Sequence, residues 1–239
     1  MMQTTTERFL DAWEQGLGQP RALQALLLLR AAHGDAGPAA PEHLTIGQRD
    51  AELLTLHEQL FGPELEGVTT CPNCGERLEL SFRTAAIRAP AAPAAGEWSG
   101  EVSHDGHAVR FRLPHGLDVL AIEEQAERDA AAFRRALLAR CVDAPVEELP
   151  PALLDEIAAR MARADPQADV RLDLVCPACD HHWQALFDIV SFLWRRLDEW
   201  ATSTLYQVHQ LASAYGWREA DILVMSARRR QLYLDMIGE

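Results

Sequence analysis

The sequence predicts a mainly helical α+β fold, and three observations carry that expectation. Apolar residues recur at helical period through most of the chain, two Cys-Pro-X-Cys turns are each flanked by alternating strand-like segments, and an Asp-Gly turn joins two further alternating runs. The elements group into an N-terminal helical region over 1–65, a first Cys-Pro-X-Cys hairpin over 66–88 and an insertion over 89–168 that holds a hairpin at 97–113 plus helices. A second Cys-Pro-X-Cys hairpin over 169–188 and a helical C-terminal region over 189–239 complete the chain.

Thr4 and Glu7 have the spacing of a capping box, and Phe9, Leu10 and Trp13 then share one helical face up to Gly16 and Gly18. After Pro20, Leu23, Leu26, Leu27 and Arg30 keep helical period as far as His33, where Gly34 and Asp35 begin a loop. Thr45 and Gln48 repeat the capping-box spacing, and an apolar stripe from Leu53 through Leu60 and Phe61 stops at Gly62-Pro63, which predicts a third helix.

The period changes at Val68. Strand-like residues run into Cys71-Pro72-Asn73-Cys74-Gly75, and Leu78, Leu80 and Phe82 then alternate with polar neighbours. The Ala- and Pro-rich stretch 89–96 reads as a linker, and Asp105-Gly106 as the turn of a hairpin whose central positions need positive φ. Helical period returns at Gly116 and lasts to about Arg163, punctuated by Pro145 and Pro150-Pro151. Val170, Leu172 and Leu174 then lead into Cys176-Pro177-Ala178-Cys179, and Trp183, Ala185 and Phe187 alternate after it, so the second turn copies the first. The tail is helical, with aromatic-rich apolar faces that suit a core or a subunit interface, and it breaks at Gly216.

Composition excludes several function classes. The 239 residues carry 22 basic and 36 acidic groups for a net charge of −14, and every basic residue is Arg. That removes Schiff-base lysine chemistry and the phosphate-loop lysine, and it opposes a nucleic-acid backbone. Arg228-Arg229-Arg230 reads as a solvated helix face or a cation cluster near a helix end, and the acid pairs Glu123-Glu124 and Glu147-Glu148, in helical or loop contexts, as solvated charge. The N-terminus lacks the pattern of a secretory signal and the longest apolar run is too short for a membrane span, so a cytoplasmic location without membrane contact is expected. In that reducing compartment five cysteines, four of them in Cys-X-X-Cys pairs, point to metal or redox chemistry.

A Cys-X-X-Cys on a tight turn offers two thiolates, half of a tetrahedral zinc sphere, and a second such turn completes it. Cys71, Cys74, Cys176 and Cys179 are therefore the candidate ligands of one structural Zn2+ per chain, in a zinc ribbon whose halves are 101 residues apart. A closed four-thiolate set leaves no open coordination position, which argues for structure and against catalysis. Two alternatives stand beside it. One is a thiol-disulfide oxidoreductase, opposed by the strand-like run after each turn where such enzymes have a helix. The other is a nucleic-acid-binding ribbon, opposed by charge. Cys141 reads as a buried small apolar group, and His104, His107 and His115 as the polarity of a turn.

The run Gly47-Gln48-Arg49-Asp50-Ala51-Glu52-Leu53-Leu54, continued by Leu60-Phe61-Gly62, Cys71-Pro72-Asn73-Cys74-Gly75 and Leu78-Glu79-Leu80, resembles the T4-type phage baseplate hub assembly chaperone family, also found with contractile injection systems. Leu211-Ala212, Tyr215-Gly216-Trp217, Ile222-Leu223 and Arg229-Arg230 to Tyr233-Leu234 are similar to the ending of the same family. The resemblance implies a non-catalytic role in building the baseplate hub of a contractile particle, with hub or spike proteins as partners.

Overall fold

The computed structural model describes residues 5–34, 41–90, 99–104, 107–123 and 129–237. In chain order its elements are α1 (Thr5–Gly16), α2 (Arg21–His33), α3 (Ile46–Phe61), β1 (Glu64–Thr70), β2 (Arg77–Arg83), β3 (Gly100–His104), β4 (His107–Phe111), α4 (Gly116–Glu123), α5 (Ala130–Cys141), α6 (Pro151–Ala164), β5 (Arg171–Val175), β6 (His182–Leu186), α7 (Ile189–Tyr215), α8 (Glu219–Leu223) and α9 (Ala227–Ile237). The strands form antiparallel pairs, β1 with β2, β3 with β4 and β5 with β6. The fold is thus mainly helical with small antiparallel sheets. Among the described residues no helix is long and apolar enough to cross a membrane.

Helices from opposite ends of the chain close the main core. Phe9 of α1, Leu28 and Leu29 of α2, Leu53 and Leu54 of α3 and Leu193 and Leu197 of α7 are buried together, with Leu65 of β1 beneath them. Each such side chain contributes about 2 kcal/mol by leaving water. Sequence sets the helix ends: Thr45 Oγ1 accepts from the Gln48 N–H at 3.2 Å while Gln48 Oε1 accepts from the Thr45 N–H at 3.1 Å, the predicted capping box of α3. Asp188 caps α7 through the Val190 and Ser191 N–H groups, and Gly216 ends that helix in the left-handed region. Thr4, the Asp105-Gly106 turn, Glu124 and most of the 89–96 linker lie outside the described residues.

The segment between the two Cys-Pro-X-Cys turns has its own core, in which Val102, Val109 and Phe111 of the hairpin meet Leu138 and Cys141 of α5 and Leu153 and Ile157 of α6. The helical run read over 116–163 is interrupted here. Val142 forms a bridge with Phe111, and after Pro145 the chain makes only a 3-10 turn at Val146–Glu148 before Pro151 starts α6, because proline and the residue before it resist a continuing helix. Glu123 is not a merely solvated acid: its Oε2 accepts from the Ala22 N–H at 2.9 Å, serving an α2 N-terminus whose own cap position, Pro20, provides no side-chain bond.

Polar clamps dock this segment onto the rest. Buried Asp165 accepts from the Gly47 N–H at 2.8 Å, in the first turn of α3. Gly47 has to be glycine there, since a Cβ would fall on the Asp165 carboxylate. Two residues later, buried Gln167 accepts from the Ala89 N–H at 2.7 Å and donates to the Ile87 carbonyl at 3.3 Å. Gln167 therefore fastens the approach to the second Cys-Pro-X-Cys hairpin to the end of the first, and Asp165 fastens it to the start of α3.

Candidate metal centre

The two hairpins are superposable in their hydrogen bonding. Thr70 pairs with Arg77 and Val175 with His182 at the last rungs of β1–β2 and β5–β6, and a cysteine follows each rung. In the first turn Cys71 N donates to the Glu76 carbonyl at 2.8 Å and Gly75 N to the Cys71 carbonyl at 3.0 Å. In the second, Cys176 N donates to His181 O and Asp180 N to Cys176 O, both at 2.9 Å. These bonds wrap the backbone around each sulfur pair. Pro72 and Pro177 sit where no N–H is required.

The fourth residue after each leading cysteine takes positive φ, +78° at Gly75 and +54° at Asp180. A Cβ at position 75 meets nothing within 4 Å, so Gly75→Ala acts through backbone strain alone. We expect it to lower stability by about 1–2 kcal/mol in thermal denaturation of the metal-loaded protein. Asp180→Gly at the matching position should be neutral or slightly stabilising, and an unchanged melt for Gly75→Ala would show that this turn does not hold its shape in the folded state.

All four sulfurs converge. The Sγ atoms of Cys71, Cys74, Cys176 and Cys179 lie within 4.8 Å of one another, with Cys71 to Cys179 at 3.8 Å and Cys74 to Cys176 at 3.6 Å. A tetrahedron with metal–sulfur bonds of about 2.3 Å has edges of about 3.8 Å, so the cluster has room for one ion at its centre. These separations are far beyond a disulfide bond, and all five cysteines are free. Cys71 and Cys176 are buried beneath Leu78 and Trp183, which occupy matching positions on β2 and β6. Cys74 is exposed and Cys179 partly so.

The sulfurs are not electrostatically equal without an ion. The Asn73 amide, which donates to Cys179 Sγ at 3.6 Å, and then the His181 backbone N–H draw the Cys179 thiol down to about 6. At Cys74 the Glu76 backbone N–H favours the thiolate, but the neighbouring sulfurs and burial outweigh it and push the thiol up to about 12. Crowded thiols cannot all ionise together, so metal binding must displace protons and strengthens as pH rises.

Sequence spacing named all four cysteines but missed what supports them. Asn73 was visible only as the variable residue of its turn, and its counterpart Ala178 offers no such donor. His181 and His182 do not join the cluster: the His181 ring stacks against Trp183, and His182 is a strand residue opposite Val175. His115 lies beside a separate site where Arg112 and Arg140 pair with Asp118; its backbone N–H donates to that carboxylate at 3.1 Å and burial lowers the pKa of its ring, whereas the side chains of His104 and His107 lie outside the described residues.

At the other end of the hairpins the rings of Phe82 and Phe187 meet edge to face at 5.6 Å, and Phe187 lies the same distance from Phe192 of α7. The four-cysteine cluster is thus the tip of a two-hairpin unit whose base is part of the helical core. No protein-family profile, curated protein or solved structure matches this chain.

Proposed function

We propose that this protein is an assembly chaperone or component for the baseplate hub of a contractile phage tail or contractile injection system, a cytoplasmic protein that acts by binding other proteins. Its four cysteines hold one structural zinc in a zinc ribbon. The two sequence segments that resemble the baseplate family map to α3 with the first hairpin and to the end of α7 through α9. The observation that carries the reading is the surface of that C-terminal region. Six of the twelve exposed large apolar side chains among the described residues fall within 206–237: Tyr206, Tyr215, Val224, Leu232, Met236 and Ile237. An apolar concentration of this kind on an acidic protein is what a partner-binding surface requires.

A tetrathiolate cage of this size accepts zinc or iron, and zinc fits a site whose work is to fix two hairpin tips without redox change. Elemental analysis of the purified protein should give one zinc per chain.

The binding role predicts that tagged protein, expressed with the particle genes, recovers hub or spike subunits. The variant Leu232→Glu/Met236→Glu should lose that recovery while keeping the melting temperature, because both side chains are already exposed. Failure to recover any hub or spike protein, from early and mature particles alike, would remove the proposal. The lowered Cys179 thiol gives a reductase reading one point of support, and insulin reduction by metal-free protein, abolished in Cys71→Ser, would establish it instead.

A further inference from the structure

Arg230 contradicts the reading of its triplet as a solvated face, for only 3 % of the residue is exposed. Its Nε donates to Gln207 Oε1 at 3.1 Å and its Nη1 to the Met225 carbonyl at 2.8 Å. A guanidinium has five N–H donors, so three have no hydrogen-bond partner among the described residues. Among the described residues no carboxylate forms an ion pair with it, although acids outnumber bases in this chain by 36 to 22. A mostly buried cation without a counter-ion is costly, and burial accordingly lowers the Arg230 pKa.

The side chain lines a cavity of about 210 Å³ among α1, α3, α7 and α9. Phe9, Phe61, Leu197 and Trp200 make its apolar wall. Thr5 and Ser226 line it too, and Ser226 precedes α9 (11 residues), where its Oγ accepts from the Arg229 N–H at 3.3 Å. The positive end of α9 therefore borders the same space as the uncompensated guanidinium. Apolar walls and concentrated positive charge specify an amphipathic anion. An apolar cavity of about 150 Å³ takes a benzene ring, so this one has room for a ring or short chain plus a carboxylate and little more.

We propose that this cavity is a binding site for a small monocarboxylate, its compact apolar body against Phe61 and Trp200 and its carboxylate on the Arg230 guanidinium. Planar guanidinium and planar carboxylate match through paired N–H···O bonds, and the free Nη donors are the ones such a fork uses. The site lies apart from the cysteine cluster and does not depend on the baseplate role.

The test uses the full-length, zinc-loaded protein with phenylacetate as probe and phenylethanol as its neutral counterpart, followed by calorimetry and by Trp fluorescence. Phenylacetate should bind at one site, with phenylethanol about tenfold weaker, since a hydrogen-bonded charge is the difference between them. Arg230→Met should weaken the acid by a similar factor and leave the alcohol unchanged. The comparison of acid and alcohol on the unaltered protein decides the matter even if that variant does not fold. Equal binding of the two probes would make the cavity merely apolar, and binding of neither would leave it to water; either result overturns the proposal.

Discussion

With the proposed zinc in place, Cys176→Ser should bring the metal content from one ion per chain to near zero in the presence of a mild chelator, and should unfold the tip of the two-hairpin unit while leaving the helical core intact. Cys176 is fully buried and its sulfur is 3.6 Å from Cys74, so its loss both opens the coordination sphere and leaves a hydroxyl beneath Leu78 and Trp183. Structural zinc contributes about 10–16 kcal/mol in finger peptides, which have no other source of order. Here the Phe82–Phe187–Phe192 contacts and the Gln167 clamp hold the base of both hairpins independently of any ion, so a smaller loss, about 5 kcal/mol, is expected. Hydrogen exchange locates it: amides at 68–80 and 173–185 should lose protection while those of α3 and α7 keep it. Cys141→Ser is the control. That thiol is buried in the second core, where burial pushes it up to about 12, and its replacement should leave the zinc content at one. A Cys176→Ser protein that retains one tightly bound zinc, or whose protection pattern is unaltered, would refute the shared site.

The physical reach of each interaction explains why some of this architecture could be read from the sequence. Helix starts such as Thr45-Gln48 are local, closed by bonds between residues three apart, and the two cysteine turns announce themselves because 71–74 and 176–179 repeat the same residues between the same kinds of strand. The convergence of the turns was legible only through metal chemistry, since four thiolates demand one another. What holds the hairpins together at their base was not legible. Asp165 reaches Gly47 across 118 positions and Gln167 reaches Ile87 and Ala89 across 80 and 78, and nothing in an Asp or a Gln before a strand announces such a partner. Glu123 and Arg230 fail for the same reason. Charged residues in acidic or basic pairs are solvated more often than not, and each exception is made by a distant element: the uncapped start of α2 for Glu123, and the wall shared by α1, α3 and α7 for Arg230. An ion is also not the only thing that closes the 101-residue separation between the turns. The polar clamps divide that task, which is why the metal is expected to govern the tip and not the whole fold.

Asp118→Ala is expected to destabilise the second core by about 3 kcal/mol, more than any exposed ion pair in the molecule. Its carboxylate is completely buried and accepts from Arg112 Nη1 at 2.6 Å, Arg112 Nη2 at 2.8 Å, Arg140 Nε at 3.0 Å and the His115 backbone N–H at 3.1 Å. These donors belong to the exit of β4, the C-terminal turn of α5 and the residue before α4, so one side chain ties three elements. Removing it leaves the Arg112 guanidinium, 23 % exposed, with the Leu113 and Arg140 carbonyls but no counter-charge, and frees Arg140, which at 43 % exposure recovers water and adds little. Asp118→Asn keeps the shape but turns an amide toward a guanidinium, so it should lose most of the same stability. Asp143→Asn, at the half-exposed Arg110 pair, should cost less than about 1 kcal/mol. The pH dependence follows from the direction of the Asp118 shift. Burial alone raises the carboxyl, but the Arg112 hydrogen bonds, the His115 N–H and the Arg112 charge outweigh it and hold the group below its ordinary value. Its contribution is therefore complete above the unfolded carboxyl range near pH 4 and disappears as pH falls through the lower folded value. Denaturant melts of the wild type and Asp118→Asn should accordingly differ at pH 7 and converge in strong acid. A difference that persisted undiminished there would mean that Asp118 stabilises the fold by its shape and not by its charge.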